Sequence, residues 1–323
     1  MSNDVASTNA KTFCNRFAYR MSKHIPEAGN ETQIFSKIYG KLKHISVADD
    51  LIIYGWDGHD TILFDREAIK DVRNRMHEGM HAWGYNDGDF IGLSRLSDGQ
   101  GYYTNEAIAN ALVSRTCPEF PHTNRGINNR IYTNILTYKE ITSIGDMLIK
   151  FQGLDSIIKS FRDDPRGFEA SLCDKFAEGF FPDFITAMDN LGEIAETRNN
   201  LKDLLSLELA KTSLLNKLRG PLREMLNEHY EGTMGLLFHG YYSKQFEIAR
   251  GNSDKTAQLV AEVKSYPDDL CQYINLLKDG VSLRDILVPP VSRGFLRATP
   301  ENAPKDVQKF YDGIITPRKA LLR

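Results

Sequence analysis

The sequence carries little excess charge and no long apolar run. Its 323 residues have a formal net charge of −3 at pH 7. This balance favours neither a nucleic-acid partner nor an acidic membrane surface. No stretch approaches about 18 consecutive apolar residues, the least that a membrane-spanning helix needs. We therefore expect no membrane span and no nucleic acid among the partners.

Cysteine is scarce in this chain. The four cysteines, Cys14, Cys117, Cys173 and Cys271, lie far apart and form no C-x-x-C pair. The start of the sequence also lacks the apolar run of a signal peptide. Together these features predict buried free thiols in a reducing, cytoplasmic compartment, and they make the cysteines poor candidates for metal ligands.

The remaining composition is that of an ordinary globular protein. Hydrophobic residues make up 41% of the chain and charged residues 26%, which is ample apolar content for a core. The length suits one large domain or two modest ones.

One short stretch, residues 76–82, has a spacing typical of metal sites. It contains His77-Glu78-Gly79-Met80-His81, and residues four apart lie on the same face of a helix. His77 and His81 can therefore direct two imidazoles at one ion, and Glu78 can take a proton from water held there. Random shuffling of this composition gives the pattern in roughly one chain in a hundred. The alternative interpretation is a surface helix with two incidental histidines.

The residues before this motif predict a hairpin that leads into its helix. Leu51–Tyr54 and Thr61–Phe64 are apolar runs on either side of Asp57-Gly58, which is typical of a β-hairpin. Asp65 is then placed to cap a helix over about residues 66–83. The apolar stripe of that helix consists of Ile69, Val72, Met76 and Met80, with the two histidines beside it.

The residues after the motif predict a long loop and a second helix. Residues 85–104 are polar and rich in glycine, so we expect a loop of about twenty residues, a length that is often functional. A helix is predicted to begin at Thr104 or Asn105, because the next residues are mostly Ala, Ile and Leu.

A catalytic zinc site needs a third protein ligand. The third histidine of the longer metzincin motif is missing, since Asp87 stands at that position. Glu106 lies 25 residues after His81 at the start of the second helix, and Asn110 follows it by one turn on the same face. Asn110 can then hydrogen-bond a ligand histidine. The alternative for Glu106 is an ordinary acid in the first turn of a helix, where it complements the helix dipole.

His77-Glu78-Gly79-Met80-His81 followed by Asn105-Glu106 resembles the gluzincin zinc metallopeptidases, the thermolysin-like clan. The resemblance covers about residues 50–115. It implies Zn²⁺ as the cofactor, with His77, His81 and Glu106 as ligands and Glu78 as the general base. The clan commonly has Asp four residues after the ligand glutamate, where this chain has Asn110.

The same resemblance implies a side-chain donor that stabilises the oxyanion. Tyr102, Tyr103, Tyr132 and Tyr138 are the candidates, and Tyr138 is favoured because Tyr138–Leu191 resembles the helical part of bacterial gluzincin-like proteins. The other histidines are interpreted as exposed or core residues. His239 is the best ligand candidate among them, because its glycine neighbours can bring it into a cleft.

We therefore predict an α+β, mostly helical fold. Residues 1–130 would form a zincin-like, metal-binding catalytic part with a small β-hairpin or sheet. Residues 131–290 would form a helical domain, because apolar residues recur there at helical spacing. Residues 291–323 contain prolines and scattered charge, and they predict an extended tail.

The resulting hypothesis is a zinc-dependent endopeptidase that acts on a protein substrate. Similarity of layout to bacterial effector proteases also suggests delivery to a host cytosol by a route without a signal peptide. Two alternatives stay open. One is an inactive zinc-containing module that binds a protein through its helical half, and the other is a protein without a metal.

Overall fold

A computed structural model describes residues 2–48, 55–66, 68–86, 90–95, 97, 99–119, 139–206 and 213–265. These residues are mostly helical. The helices are α1 (Ser2–His24), α2 (Glu31–Lys41), α3 (Val72–Gly84), α4 (Tyr102–Thr116), α5 (Lys139–Gln152), α6 (Leu154–Arg162), α7 (Phe168–Cys173), α8 (Phe180–Ser206), α9 (Ser213–Ile248) and α10 (Ser253–Lys264). The strands are β1 (His44–Ala48), β2 (Gly55–Trp56), β3 (Thr61–Asp65), β4 (Tyr85–Asn86), β5 (Phe90–Ile91) and β6 (Ser94–Arg95). The predicted α+β, mostly helical class is confirmed.

The first sheet has the strand order β1-β3-β2. β2 pairs antiparallel with β3, with Trp56 opposite Ile62, so the predicted hairpin is present from residue 55 onward. Leu51–Tyr54, which we assigned to its first strand, lies outside the described residues. β1 was not predicted, and it pairs parallel with β3 on the other side.

The motif helix begins later than the sequence suggested. Asp65 does not cap it, because Asp65 is still paired with Ala48 at the end of β3 and its backbone is therefore extended. α3 starts at Val72, and its cap is Asp71, whose carboxylate accepts the backbone N–H of Arg73 at 2.8 Å.

The predicted loop after the motif contains a second, smaller sheet. β4 and β5 pair antiparallel, and β5 pairs antiparallel with β6. α4 then begins at Tyr102, two to three residues before the predicted start. These short pairings connect the end of α3 to the start of α4.

α3 and α4 are buried on nearly all sides. Small residues allow this, because a helix with no side chain at a contact can approach its neighbour closely. A Cβ on Gly79 would collide with the ring of Phe17 on α1, and one on Gly145 of α5 would collide with the carbonyl of Ala107 on α4. The proposed metal-binding residues therefore lie in the interior of the fold.

One cluster of buried apolar residues extends from Ala10 on α1 to Val263 on α10. The division into a part over 1–130 and a helical domain over 131–290 stays a prediction, and residues 291–323 lie outside the described chain. Within the described residues no helix is both long and apolar enough to cross a bilayer.

The thiols that can be described are free. Cys14 and Cys117 are buried as predicted, whereas Cys173 is exposed, because it lies on the outer side of the short helix α7. Cys271 lies outside the described residues.

Candidate metal centre

Three side chains predicted as metal ligands meet between α3 and α4. Nε2 of His77 lies 3.2 Å from Oε2 of Glu106, and Nε2 of His81 lies 3.1 Å from Oε1 of the same carboxylate. The two Nε2 atoms are 3.0 Å apart. All three residues are buried, and their ligand atoms lie within 4.8 Å of one another. This buried His-His-Glu group can hold a metal ion.

The spacing of the donor atoms fits a tetrahedral ion. Zinc takes histidine nitrogen and carboxylate oxygen at about 2.0–2.2 Å, which separates neighbouring donors in a tetrahedron by about 3.3 Å. The three separations of 3.0–3.2 Å are close to that value. Two neutral imidazoles and one carboxylate also leave the fourth position of a tetrahedron open.

The charge of Glu106 changes the pKa of His77, and the two histidines change the pKa of Glu106. Burial would lower the pKa of His77, but the Glu106 carboxylate outweighs it and raises that pKa to about 8. Burial by itself would raise the pKa of Glu106, yet the two histidines hold it well below its usual range. Glu106 is therefore ionised at neutral pH, which is the form that binds a cation.

Glu78 lies beside this group, and a hydrogen bond from strand β2 holds its carboxylate. Its Oε2 accepts the backbone N–H of Trp56 on β2 at 3.1 Å. Gly55 precedes Trp56, and a Cβ there would lie only 3.2 Å from the same oxygen. Burial raises the pKa of the Glu78 carboxyl, although His77 and His81 oppose that shift. A carboxylate with a raised pKa is a stronger proton acceptor.

Asn105 was not identified as a site residue from the sequence, except as part of the Asn-Glu pair. Its Oδ1 accepts the backbone N–H of Leu93 at 3.0 Å, and its Nδ2 lies 3.2 Å from Nδ1 of His81. Gly92 permits this approach, since it has φ of +54° and any Cβ would collide with Oδ1 of Asn105. The β5–β6 turn therefore holds Asn105 against the His81 ring.

Asn110 lies next to His77 on the buried face of α4. Its side chain is one of the groups that raise the pKa of His77. Nδ1 of His77 and Nδ2 of Asn110 are nevertheless both buried without a hydrogen bond of ordinary geometry. The amide is thus placed near the ring that it was predicted to support, but in this conformation the contact is loose.

Only two of the four candidate oxyanion donors, Tyr102 and Tyr103, lie within the described residues. Tyr138, the favoured candidate, and Tyr132 lie outside the described residues. Tyr102 is exposed, and the hydroxyl of Tyr103 donates to Glu196 of α8 at 2.7 Å. His239 is buried on α9, where its Nδ1 lies 3.3 Å from Oγ of Ser243 and burial lowers its pKa to about 4.

Comparisons with known proteins found nothing similar to this chain. No protein-family model matches the sequence, and neither a curated protein nor a solved structure matches it.

Proposed function

We propose that the protein is a zinc-dependent endopeptidase that hydrolyses a peptide bond in a protein substrate. The observation that carries the proposal is the buried His77–His81–Glu106 group with Glu78 beside it. A purely structural metal site has no use for a neighbouring base, whereas hydrolysis needs one. The gluzincin resemblance of the motif supports the same interpretation.

The roles of the residues follow from their positions. A zinc ion held by His77, His81 and Glu106 would lower the pKa of water and polarise a carbonyl. Glu78 accepts the proton from the attacking water and later returns it to the leaving amine. The Trp56 N–H holds Oε2 of Glu78, and we assign the proton transfer to Oε1. Tyr138 stays the proposed oxyanion donor, on the resemblance alone.

The first experiment identifies the metal. Two imidazoles and one carboxylate also suit ferrous iron, so the metal content of the purified protein has to be measured by elemental analysis. Stoichiometric zinc supports the proposal, whereas iron or no metal contradicts it. Glu106→Gln is the matched variant, because it keeps the shape of the side chain and removes the ligand charge.

The second experiment separates a peptidase from a zinc-containing binding module. Glu78→Gln should keep the zinc and lose turnover, because the amide cannot accept a proton. New protein N-termini are counted across a proteome treated with wild type or with Glu78→Gln. If zinc-loaded wild type generates none beyond those of the variant, the endopeptidase proposal fails and the binding module through the helical half takes its place.

The proposed setting of this activity follows from analogy of layout. A helical half next to a peptidase site suits selectivity for a folded protein, as in bacterial effector proteases. Action in the cytoplasm, or in a host cytosol after delivery, is part of this proposal. The cleaved proteins found in the preceding experiment test it, because an effector should cleave host proteins and leave those of the producing cell intact.

A further inference from the structure

The helix that carries Glu106 lacks a cap of its own. The N-cap position of α4 is Gly101, which has no side chain, and the first turn contains no acidic residue. The first backbone N–H groups of a helix have no partner within the helix and favour a negative charge nearby. The Tyr102 N–H donates to the carbonyl of Gly99 at 3.2 Å, but a negative charge for this end of the helix must come from elsewhere in the fold.

A single stripe of residues on α8 packs against this end of α4. Ile185, Asp189, Gly192 and Glu196 follow one another at intervals of four, three and four residues, so they lie on one face of the helix. All four touch the first turn of α4. Ile185 lies beside Gly101, and the ring of Tyr103 occupies the space that a Cβ on Gly192 would need. Glu196 accepts the hydroxyl of Tyr103 at 2.7 Å.

Asp189 is the member of this stripe whose carboxylate lies near the backbone of α4 at Gly101 and Tyr103. The backbone N–H groups of Tyr103 and Gly101 lie close enough to its carboxylate to lower its pKa. Oδ1 of this carboxylate is buried without a hydrogen bond of ordinary geometry. Burial raises its pKa to about 6, the Tyr103 N–H opposes that shift, and the exposed Glu193 carboxylate adds to it. Asp189 is therefore ionised above pH 6 and places a negative charge at the start of α4.

We propose that Asp189 is a positioning residue for the metal site. From α8 it caps α4, and it thereby fixes the position of Glu106, the proposed ligand one turn further along α4. Glu106 cannot shift along or around the axis of α4 while the first turn is held by this stripe. The helical half thus determines the geometry of a site whose ligands all come from the first 106 residues. This inference rests on the metal-binding part of the proposed function and not on peptide hydrolysis.

The test compares three variants at a pH well above 6. Asp189→Ala removes both the charge and the acceptor, Asp189→Asn keeps one acceptor oxygen, and Glu193→Gln is the control because it removes a neighbouring exposed charge from the same helix. The affinity for Zn²⁺ is measured by competition with a chelator. The visible spectrum of bound Co²⁺ is recorded at saturation, since it reports coordination geometry and not stability.

We expect Asp189→Ala to weaken Zn²⁺ binding at least about 10-fold, the scale of losing a group that orients a ligand, and to change the Co²⁺ spectrum. Asp189→Asn should fall between that variant and wild type, and Glu193→Gln should match wild type. An unchanged affinity and spectrum in Asp189→Ala would overturn the inference. If that variant does not fold, the same result in Asp189→Asn would overturn it. Failure of wild type to bind either metal would instead remove the proposed function and this inference together.

Discussion

The backbone N–H of Trp56 donates a 3.1 Å hydrogen bond to Oε2 of Glu78, and this contact joins strand β2 to the motif helix. It makes the position of the proposed base depend on a strand that contributes no ligand. Gly55 is the residue that allows the approach, since it has φ of +156° and a Cβ would lie 3.2 Å from the same oxygen.

Gly55→Ala should therefore lower turnover and leave metal binding intact. The added methyl pushes Glu78 away, and a displacement of about 1 Å at a reacting group can cost about 100-fold in rate. Turnover of a peptide substrate and zinc content are the measurements. Gly58→Ala is the matched control, because Gly58 also has positive φ in the same hairpin but a Cβ there would lie 3.9 Å from Ile91 and not against Glu78. Equal losses in the two variants would show that the hairpin strain, and not Glu78, is responsible.

Glu106→Gln should weaken zinc binding by more than Asn110→Ala does. The carboxylate neutralises part of the charge of the ion directly, whereas Asn110 acts through the His77 ring. We expect Asn110→Ala to fall at or below the roughly 10- to 100-fold loss of a supporting group and Glu106→Gln to exceed it. Chelator competition gives both dissociation constants. A reversed order would mean that the third ligand lies elsewhere, and Asp87 and Asp89 would be tested next, ahead of Glu119, which is paired with Arg20.

The metal-free protein should become less stable as the pH rises from about 6.5 to about 8. The pKa of His77 is about 8 in the folded protein against 6.5 in the unfolded chain, so the folded state binds this proton more tightly. The resulting stabilisation, about 2 kcal/mol, is fully present below pH 6.5 and is lost as the pH passes through 8. Urea unfolding of chelator-treated protein across this range measures it. Glu106→Gln should flatten the trend, because Glu106 is the main charge that raises this pKa.

Zinc affinity should change in the opposite direction over the same pH range. A ligand histidine must lose its proton before Nε2 can bind a metal, so protons compete with zinc at His77 until the pH exceeds about 8. Chelator competition at several pH values should show tighter binding at higher pH. A zinc affinity independent of pH between 6 and 8 would exclude His77 as a ligand.

His81→Ala should abolish metal binding and also destabilise the fold. Glu106 would lose one of its two partners while remaining buried beside His77. The cost should therefore lie below about 3–5 kcal/mol, the cost of leaving a buried charge with no partner. Thermal unfolding with and without zinc checks both effects. The double variant with Glu106→Gln should recover part of the lost stability, since the charge is then removed as well. No recovery would mean that the loss comes from packing of the ring.

The grouping of His77, His81 and Glu106 could be predicted from the sequence through local rules. The spacing of His77 and His81 is a property of any helix, and Glu106 was selected by residue type and separation. The prediction that Asp65 caps the motif helix was wrong, because Asp65 pairs with Ala48 of β1. This strand lies 17 residues earlier, and the periodicity of the sequence did not reveal it. Asn105 was named only as part of a motif, since its role depends on the Gly92–Leu93 turn folding back onto α4.

Contacts between distant parts of the chain could not be predicted at all. Asp189 lies 87 residues after Tyr102, the first residue of the helix that we propose it caps, and a lone aspartate on a helix gives no signal of such a contact. The close approach of Gly145 to Ala107 is equally invisible in the sequence, because a glycine within a helix has several explanations.

The burial of α4 has a consequence for how this protein can be divided. A fragment that ends at residue 119 would contain all three members of the His-His-Glu group and the neighbouring glutamate. It would also strip α4 of Gly145, which packs against Ala107, and of Asp189 and Gly192, which lie against its first turn. Those surfaces of α4 would then be exposed to water. We therefore expect the smallest fragment that keeps this group in place to be much longer than the span from His77 to Glu106.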